Sequence, residues 1–267
     1  MNRKLIALIM TIILVISAVG CSKDGSKAQD AATVEPGKFI VGFDQGFPPM
    51  GFLDENGEHT GFDLELAAEV AKRLDLELVL QPIAWDSKDA ELSSKNIDCI
   101  WNGFTINGRE DNYTWTKPYM KNNQVFVVKA GSDIKTLEDL EGKTVMVQTD
   151  SSAEEVLEKD RPELVDTFGE YLKAPDYTVA LMDLETGAVD AVAMDDVVAN
   201  YQMEQREGVF AMLDEILSVE DSGVGFLLGN EALRDTVEET LEEMAKDGFL
   251  TKTSEKWFGK DVIVIGK

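Results

Sequence analysis

The chain has 267 residues, with 25 Lys and Arg against 51 Asp and Glu, a net charge of −26 and two cysteines. This acidity excludes binding to nucleic acid and attraction to anionic lipid, both of which need a cationic surface. A hydrophobic fraction of 44% is enough for a packed core, which excludes wholesale disorder, and two cysteines cannot make a disulfide scaffold.

Arg3 and Lys4 precede an apolar run from Leu5 to Val19, interrupted by Thr11 and Ser17 and followed by Gly20-Cys21. A short basic start, an apolar stretch and small residues before a cut predict a secretory signal over residues 1–20. The run is shorter than the ~20 residues of a membrane-spanning helix. Ala18-Val19-Gly20-Cys21 is similar to a bacterial lipobox, which makes Cys21 the expected lipid-modified first residue of the mature chain. Residues 21–36, rich in Ser, Lys, Asp, Ala and Gly, read as a flexible tether.

Residues 38–43 form an apolar, β-rich run. Residues 50–53 and 59–62 flank Asn56-Gly57, which signals a hairpin or tight turn. Leu64, Ala67, Ala71 and Leu74 keep helical spacing, with Asp63 placed to cap the helix. A strand over 76–80, a short helix around Ala90 and Leu92 and a strand from Ile97 to Trp101 follow; Cys99 within that strand reads as a small core hydrophobe. This β-α-β-α-β order predicts a parallel, doubly wound sheet. The pattern restarts after Tyr119, with strands over 124–129, 143–148 and 188–194. Helices are expected over 136–142, 151–159, from Val179 to Gly187, and over 197–205. After a last strand at 224–228, Leu233, Val237, Leu241 and Met244 make an apolar stripe on an acidic helix ending at Gly248. Glu238, Glu239, Glu242 and Glu243 read as its solvated face. Two copies of one α/β plan predict two lobes joined by crossing strands, 37–121 with 222–267 and 122–221.

Polar residues gather at strand-to-loop junctions, where open α/β sheets place ligands. Asp44 ends the first strand and precedes Phe47-Pro48-Pro49-Met50. Asn102 and Gly103-Phe104-Thr105-Ile106-Asn107-Gly108-Arg109 follow the strand ending at Trp101. Gln148-Thr149-Asp150-Ser151-Ser152-Ala153 opens a helix, and Asp195 ends the strand over 190–194. A guanidinium and helix-start N–H groups suit a carboxylate, a buried acid suits an ammonium, and apolar walls suit an aliphatic stem. That set of groups matches a free α-amino acid.

From about Lys38 to Phe258 the chain resembles the polar amino-acid solute-binding proteins of bacterial ABC transporters. The resemblance is carried by landmarks in order: Asp44-Gln45-Gly46-Phe47-Pro48-Pro49-Met50-Gly51-Phe52, Gly61-Phe62-Asp63-Leu64-Glu65-Leu66-Ala67, Asp98 to Arg109, Lys117-Pro118-Tyr119, Val147 to Ala153 and Val189 to Asp195. It implies an α/β, two-lobe periplasmic-binding-protein-like fold of type II, each lobe a mostly parallel sheet flanked by helices, with the ligand in the interlobe cleft. Arg109 would hold the ligand's α-carboxylate, helped by Thr105, Ser151 and the Ser152 N–H. Asp195 would take the α-ammonium, which the Gly103 carbonyl would also face. Phe47 and Trp85 would sandwich the side-chain stem, and Asp44, Asn102 and Gln148 would lie nearer its end. The resemblance further implies no cofactor, a monomer on the outer face of the cell membrane, and partnership with an ABC permease and its ATPase. Two positions depart from the family pattern. Asp150 stands where many relatives have Gly, and so either points to solvent or meets a cationic ligand group. Met50 stands where relatives often have an aromatic.

Each residue also has a plainer reading: Arg109 as a surface arginine, Asp195 as the cap of the helix from Asp196, Phe47 as a packed turn aromatic, Trp85 and Trp101 as core, with core favoured for Trp101. Three other functions compete. An extracytoplasmic dehydratase on the same fold would need acid–base groups; His59 is the only histidine and no Gly-x-Ser-x-Gly elbow is present, which leaves carboxylates alone. Asp54-Glu55-Asn56-Gly57-Glu58 is a faint calcium-loop pattern without the full ligand ladder, so no metal is expected there. A sensory module would be expected to continue into a membrane helix, whereas this chain ends at Lys267. Asp44 and Asp150 lean toward Arg or Lys as ligand, Asn102 and Gln148 toward Gln, and cystine stays open.

Overall fold

The computed structural model describes residues 33–267; the expected signal peptide and Cys21 lie outside them. Strand β1 (Lys38–Phe43) is buried from Phe39 onward, the mark of a strand covered on both faces. Strands β2 (Gly46–Phe47), β3 (Gly51–Leu53) and β4 (His59–Thr60) make a small antiparallel sheet around the Asn56-Gly57 turn. Helix α1 (Phe62–Arg73), strand β5 (Glu77–Pro82), helix α2 (Lys88–Ser93), strand β6 (Cys99–Ile100) and strand β7 (Thr114–Trp115) complete this part of the chain.

The second lobe begins with β8 (Met120–Lys129) and β9 (Thr144–Gln148). It continues through α3 (Ser152–Glu155), α4 (Pro162–Val165), β10 (Glu170–Ala174) and α5 (Tyr177–Thr186), then β11 (Ala191–Asp195), α6 (Asp196–Gln205), β12 (Phe210–Met212) and β13 (Ser218–Ser222). The chain then re-enters the first sheet with β14 (Gly225–Phe226) and closes with α7 (Glu231–Lys246) and α8 (Phe249–Phe258).

The first sheet has the order β5-β1-β6-β14-β7 and the second β10-β9-β11-β8-β12, with β13 also paired to β8. Each has a parallel centre, β5-β1-β6 and β10-β9-β11, completed by antiparallel strands where the chain crosses between lobes. The crossing strands β8 and β13 lie side by side, with Asn122 opposite Glu220 and Gln124 opposite Ser218. The α7 stripe of Leu233, Val237, Leu241 and Met244 is fully buried, and Trp101 and Cys99 belong to the same core.

Several local expectations change. The segment over 136–142 folds only as a single 3-10 turn, Glu138–Leu140, and the helix expected over 151–159 becomes α3 followed by a π-helical turn, Val156–Asp160. Of the acids expected on the solvated face of α7, Glu238 and Glu242 both hold Lys117, at 3.0 and 2.7 Å. The Asp54 carboxylate accepts the N–H groups of Asn56 and Glu58 within its own turn.

Asp63 does not cap α1. The cap position belongs to Gly61, whose φ of 145° and closeness to the Met50 carbonyl leave no room for a side chain. Asp63 turns inward, where it is fully buried and accepts the Gly103 N–H at 2.5 Å and the Tyr119 hydroxyl at 2.8 Å. Burial pushes its carboxyl up to about 7 against the pull of these donors. An acid raised in the folded state takes up a proton on folding, so its contribution to stability falls as pH rises from the ordinary carboxylate range through about 7. Asp63→Asn is expected to flatten part of the fall in unfolding midpoint between about pH 5 and about pH 8. Identical midpoint profiles for the two proteins would refute this role.

Candidate functional site

The cleft between the lobes holds a small cavity of about 20 Å³. Phe47, Trp85, Asn102, Gly103, Thr105 and Arg109 line it from the first lobe, and Gln148, Ser151, Ser152 and Asp195 from the second. Ten of the eleven positions singled out in the sequence therefore converge on one cavity. The eleventh, Asp44, is buried beside it and joined to it by Gln148, whose Nε2 donates to Asp44 at 2.7 Å.

The convergence follows from topology. Parallel strands end on the same side, so the loops after β1, β6, β9 and β11 meet there. Gly103 has a φ of +60°, and a side chain in its place would approach the Phe47 ring at 3.2 Å, so glycine keeps the loop close to that ring. Phe47 leans on Tyr177, with ring centres 5.7 Å apart, and the Trp85 ring stands edge-on to Phe104 at 5.4 Å. Met50 is fully buried beneath this wall.

Arg109 is 7% exposed, which rules out an ordinary surface arginine. Its guanidinium lies 5.5 Å from the Phe104 ring. Its polar contacts are long: Glu155 at 3.4 Å, the Thr105 carbonyl at 3.5 Å and the Asp150 carbonyl at 3.4 Å. A guanidinium has five N–H donors and prefers charged partners near 2.8 Å, so capacity for an anion remains.

Asp195 occupies the cap position of α6, yet its side chain makes no cap bond. It turns into the lobe, accepting Asn122 Nδ2 at 2.6 Å, Gln124 Nε2 at 2.9 Å and the Tyr177 hydroxyl at 3.1 Å. Burial and the neighbouring Glu220 carboxylate raise its pKa. Ser151 caps α3 by accepting the Glu154 N–H at 3.1 Å. The Ser152 hydroxyl lies 2.9 Å from Gln124 Nε2 and donates to Glu220 at 3.2 Å. At the other end of the cavity Asn102 is buried with neither its amide oxygen nor its nitrogen partnered, and burial raises the Asp44 carboxyl.

Asn122, Gln124, Tyr177, Glu155, Lys88 and Glu220 were not foreseen. The strand expectation stopped at Gln124, yet Asn122 and Gln124 continue its buried face at period two, a signal that buried polar residues mask. His59 sits on β4, edge-on to Phe43, and does not line the cavity. Among the described residues no cluster of three or more His, Cys, Asp or Glu could hold a metal ion, and no helix is long and apolar enough to cross a membrane.

Residues 39–260 match the model of the bacterial extracellular solute-binding proteins, family 3. The chain belongs to this family. It is 36% identical over 232 residues to the L-cystine-binding protein TcyJ of Escherichia coli K12, covering 85% of each chain. Among solved structures of the family's two-lobe α/β fold, it is similar to a Streptococcus pneumoniae ABC uptake transporter substrate-binding protein with bound histidine. That match has a TM-score of 0.82 and 32% identity, over 90% of this chain and 96% of the other. An ancestral arginine-binding protein bound to arginine matches with a TM-score of 0.77 and 37% identity, over 84% and 99%.

Asp150, the departure from the family pattern, is half exposed and also engages the other lobe. Its carboxylate pairs across the cleft with Lys88, an amine almost wholly buried on α2, and its carbonyl accepts the Trp85 indole N–H at 3.1 Å. Asp150 sits in the left-handed region at φ 61°, which Asp tolerates better than most residues and Gly best. Burial lowers the Lys88 pKa and the Asp150 carboxylate partly restores it. Asp150→Ala should leave a buried ammonium without its partner. The Asp150 side chain is half exposed, so the expected loss is about 1–2 kcal/mol in favour of the open or unfolded forms. Thermal unfolding together with an interlobe distance measurement checks this; a variant as stable and as closed as the parent would show that the pair contributes nothing.

Proposed function

We propose that this chain captures a polar α-amino acid between its lobes and delivers it to the permease of an ABC importer. One observation carries the reading. One small interlobe cavity is lined by a buried guanidinium from one lobe, with only long protein contacts, and a buried carboxylate from the other, with only neutral donors. Arg109 takes the α-carboxylate with Thr105, Ser151 and Ser152, and Asp195 takes the α-ammonium. Phe47 and Trp85 hold the stem. Asp44, Asn102 and Gln148 favour a side chain that ends in N–H donors, with Arg, Lys and Gln ahead of cystine; relatives that bind arginine, histidine and cystine are consistent with this range.

Ligand contacts from both lobes favour the closed form over an open one. We assign the hinge to β8 and β13, the antiparallel pair that links the lobes. The sequence around Cys21 supports attachment by lipid to the outer face of the cell membrane. Detection of a diacylglyceryl group on Cys21 by mass spectrometry is the expected result, and an unmodified mature N-terminus would contradict it.

A thermal-shift and calorimetric screen of the twenty amino acids with cystine and ornithine tests the function. Binding stabilises the native state directly, and a micromolar ligand corresponds to about −8 kcal/mol. Arg109→Ala should remove ~2–5 kcal/mol of that, a loss of roughly thirtyfold to several thousandfold in affinity, while the fold stays intact. Unchanged affinity in this variant would overturn the assignment.

A further inference from the structure

Glu220 lies on the crossing strand β13 and is 3% exposed. Its Oε2 accepts the Thr105 hydroxyl at 2.8 Å, Gln124 Nε2 at 3.0 Å and the Ser152 hydroxyl at 3.2 Å, with Asn122 Nδ2 at 3.5 Å; its Oε1 accepts the Ser218 hydroxyl at 3.1 Å. Thr105 and Ser152 are groups given to the ligand's carboxylate, and Gln124 and Asn122 are the amides that hold Asp195. One nitrogen, Gln124 Nε2, lies 2.9 Å from the Asp195 carboxylate and 3.0 Å from that of Glu220, so the two acids are less than about 6 Å apart.

Every side chain hydrogen-bonded to this pair is neutral. From β8 come only Asn122 and Gln124, whose amide oxygens are buried without partners. From α5 comes Tyr177, whose own pKa burial and Asp195 push well up, so it stays protonated. From α3 and the Thr105 loop come hydroxyls. On α6, Asp196 faces away and accepts Asn123 Nδ2 at 2.7 Å. Arg109 lines the same cavity but forms no hydrogen bond or ion pair with either acid, and among the described residues no Lys or Arg does. Two buried carboxylates this close, with neutral donors only, do not both ionise without a cation.

We propose that Glu220 is a positioning residue for the ligand's ammonium: with Asp195 it forms an acid pair that holds one proton in the empty cleft and gives it up when the ammonium enters. This rests on the amino-acid reading of the cavity. The exchange conserves charge at that end of the site. In the empty form two carboxylates share one proton and carry −1. In the bound form the O–H bond has broken, the proton has gone to solvent, and the ammonium makes the same total. Glu220 thereby selects against ligands without a cationic amine and ties capture to pH. The raised pKa of Asp195, caused by burial and by Glu220, agrees with a proton held near neutrality.

The test has two arms. In the first, the mature protein and Glu220→Gln are titrated by calorimetry with L-arginine, L-histidine, L-glutamine and L-cystine, in pairs of buffers that differ in ionisation enthalpy. For those that bind, the parent protein is expected to release a proton approaching one per ligand, with affinity falling about tenfold per pH unit below the pair's pKa. Glu220→Gln should still bind, with proton release largely lost and a flatter pH profile. Equal release in the two proteins, or none in the parent, would overturn the proposal. The second arm needs no ligand. Carbon-13 NMR of labelled Asp and Glu carboxyls should show one proton shared by Asp195 and Glu220 at about pH 6, and in Glu220→Gln a single Asp195 ionisation at lower pH than in the parent, still raised by burial. Ordinary ionisation of both acids in the parent protein would overturn the proposal. A protein that holds the proton yet binds none of the four amino acids would instead count against the amino-acid reading.

Discussion

A buried charge must find a counter-charge, and this chain faces a carboxylate that has no cationic partner with a guanidinium only loosely paired to Glu155. The Asp195 carboxylate is enclosed by Asn122, Gln124 and Tyr177, all neutral. The Arg109 guanidinium is enclosed by an aromatic ring and by contacts at 3.4–3.5 Å. Neither forms an ion pair with the other. Leaving a buried charge poorly compensated costs several kcal/mol, which supports the proposal that the cavity takes a molecule carrying both opposite poles. Shape alone would not distinguish this cleft from any other interlobe gap.

The rest of the fold serves that arrangement. Parallel strands deliver the loops to one side, and the antiparallel crossing strands β8 and β13 link the halves. Asp63 ties α1 to the Gly103 loop, so the first wall of the cavity is fixed from behind. Closure has contributions independent of any ligand: Lys88 with Asp150, Gln148 with Asp44, and Thr105 with Glu220. A ligand therefore needs to shift only a modest balance, which is how a small molecule can govern the motion of whole lobes.

Much of this was legible in the sequence, and the limits have physical causes. Buried parallel strands announce themselves as apolar runs, so β1 and β11 could be located from pattern alone. Arg109, in the loop after β6, and Asp195, at the end of β11, each have a plain structural reading in the sequence, and the family resemblance is what singles them out. The strand β10, Glu-Tyr-Leu-Lys-Ala, lies at a sheet edge and mixes polar with apolar residues, so no clear period marks it. The strand β13, Ser-Val-Glu-Asp-Ser, reads as a loop because its buried positions hold Glu220 and Ser222, not hydrophobes. Asp63 has the sequence context of a helix cap, and only the burial of α1 against Tyr119 reveals its other use. The Lys88–Asp150 pair spans 62 positions, and no local pattern encodes such a contact.

The opposed charges can be tested most directly on the ligand itself. The best binder among the natural amino acids is compared by calorimetry with its methyl ester, which lacks the carboxylate, and its N-acetyl derivative, which lacks the ammonium. Both derivatives are expected to lose at least about a hundredfold in affinity, the equivalent of one severed buried charge pair. A derivative that binds as tightly as the parent amino acid would contradict the central claim that Arg109 and Asp195 hold opposite ends of one molecule.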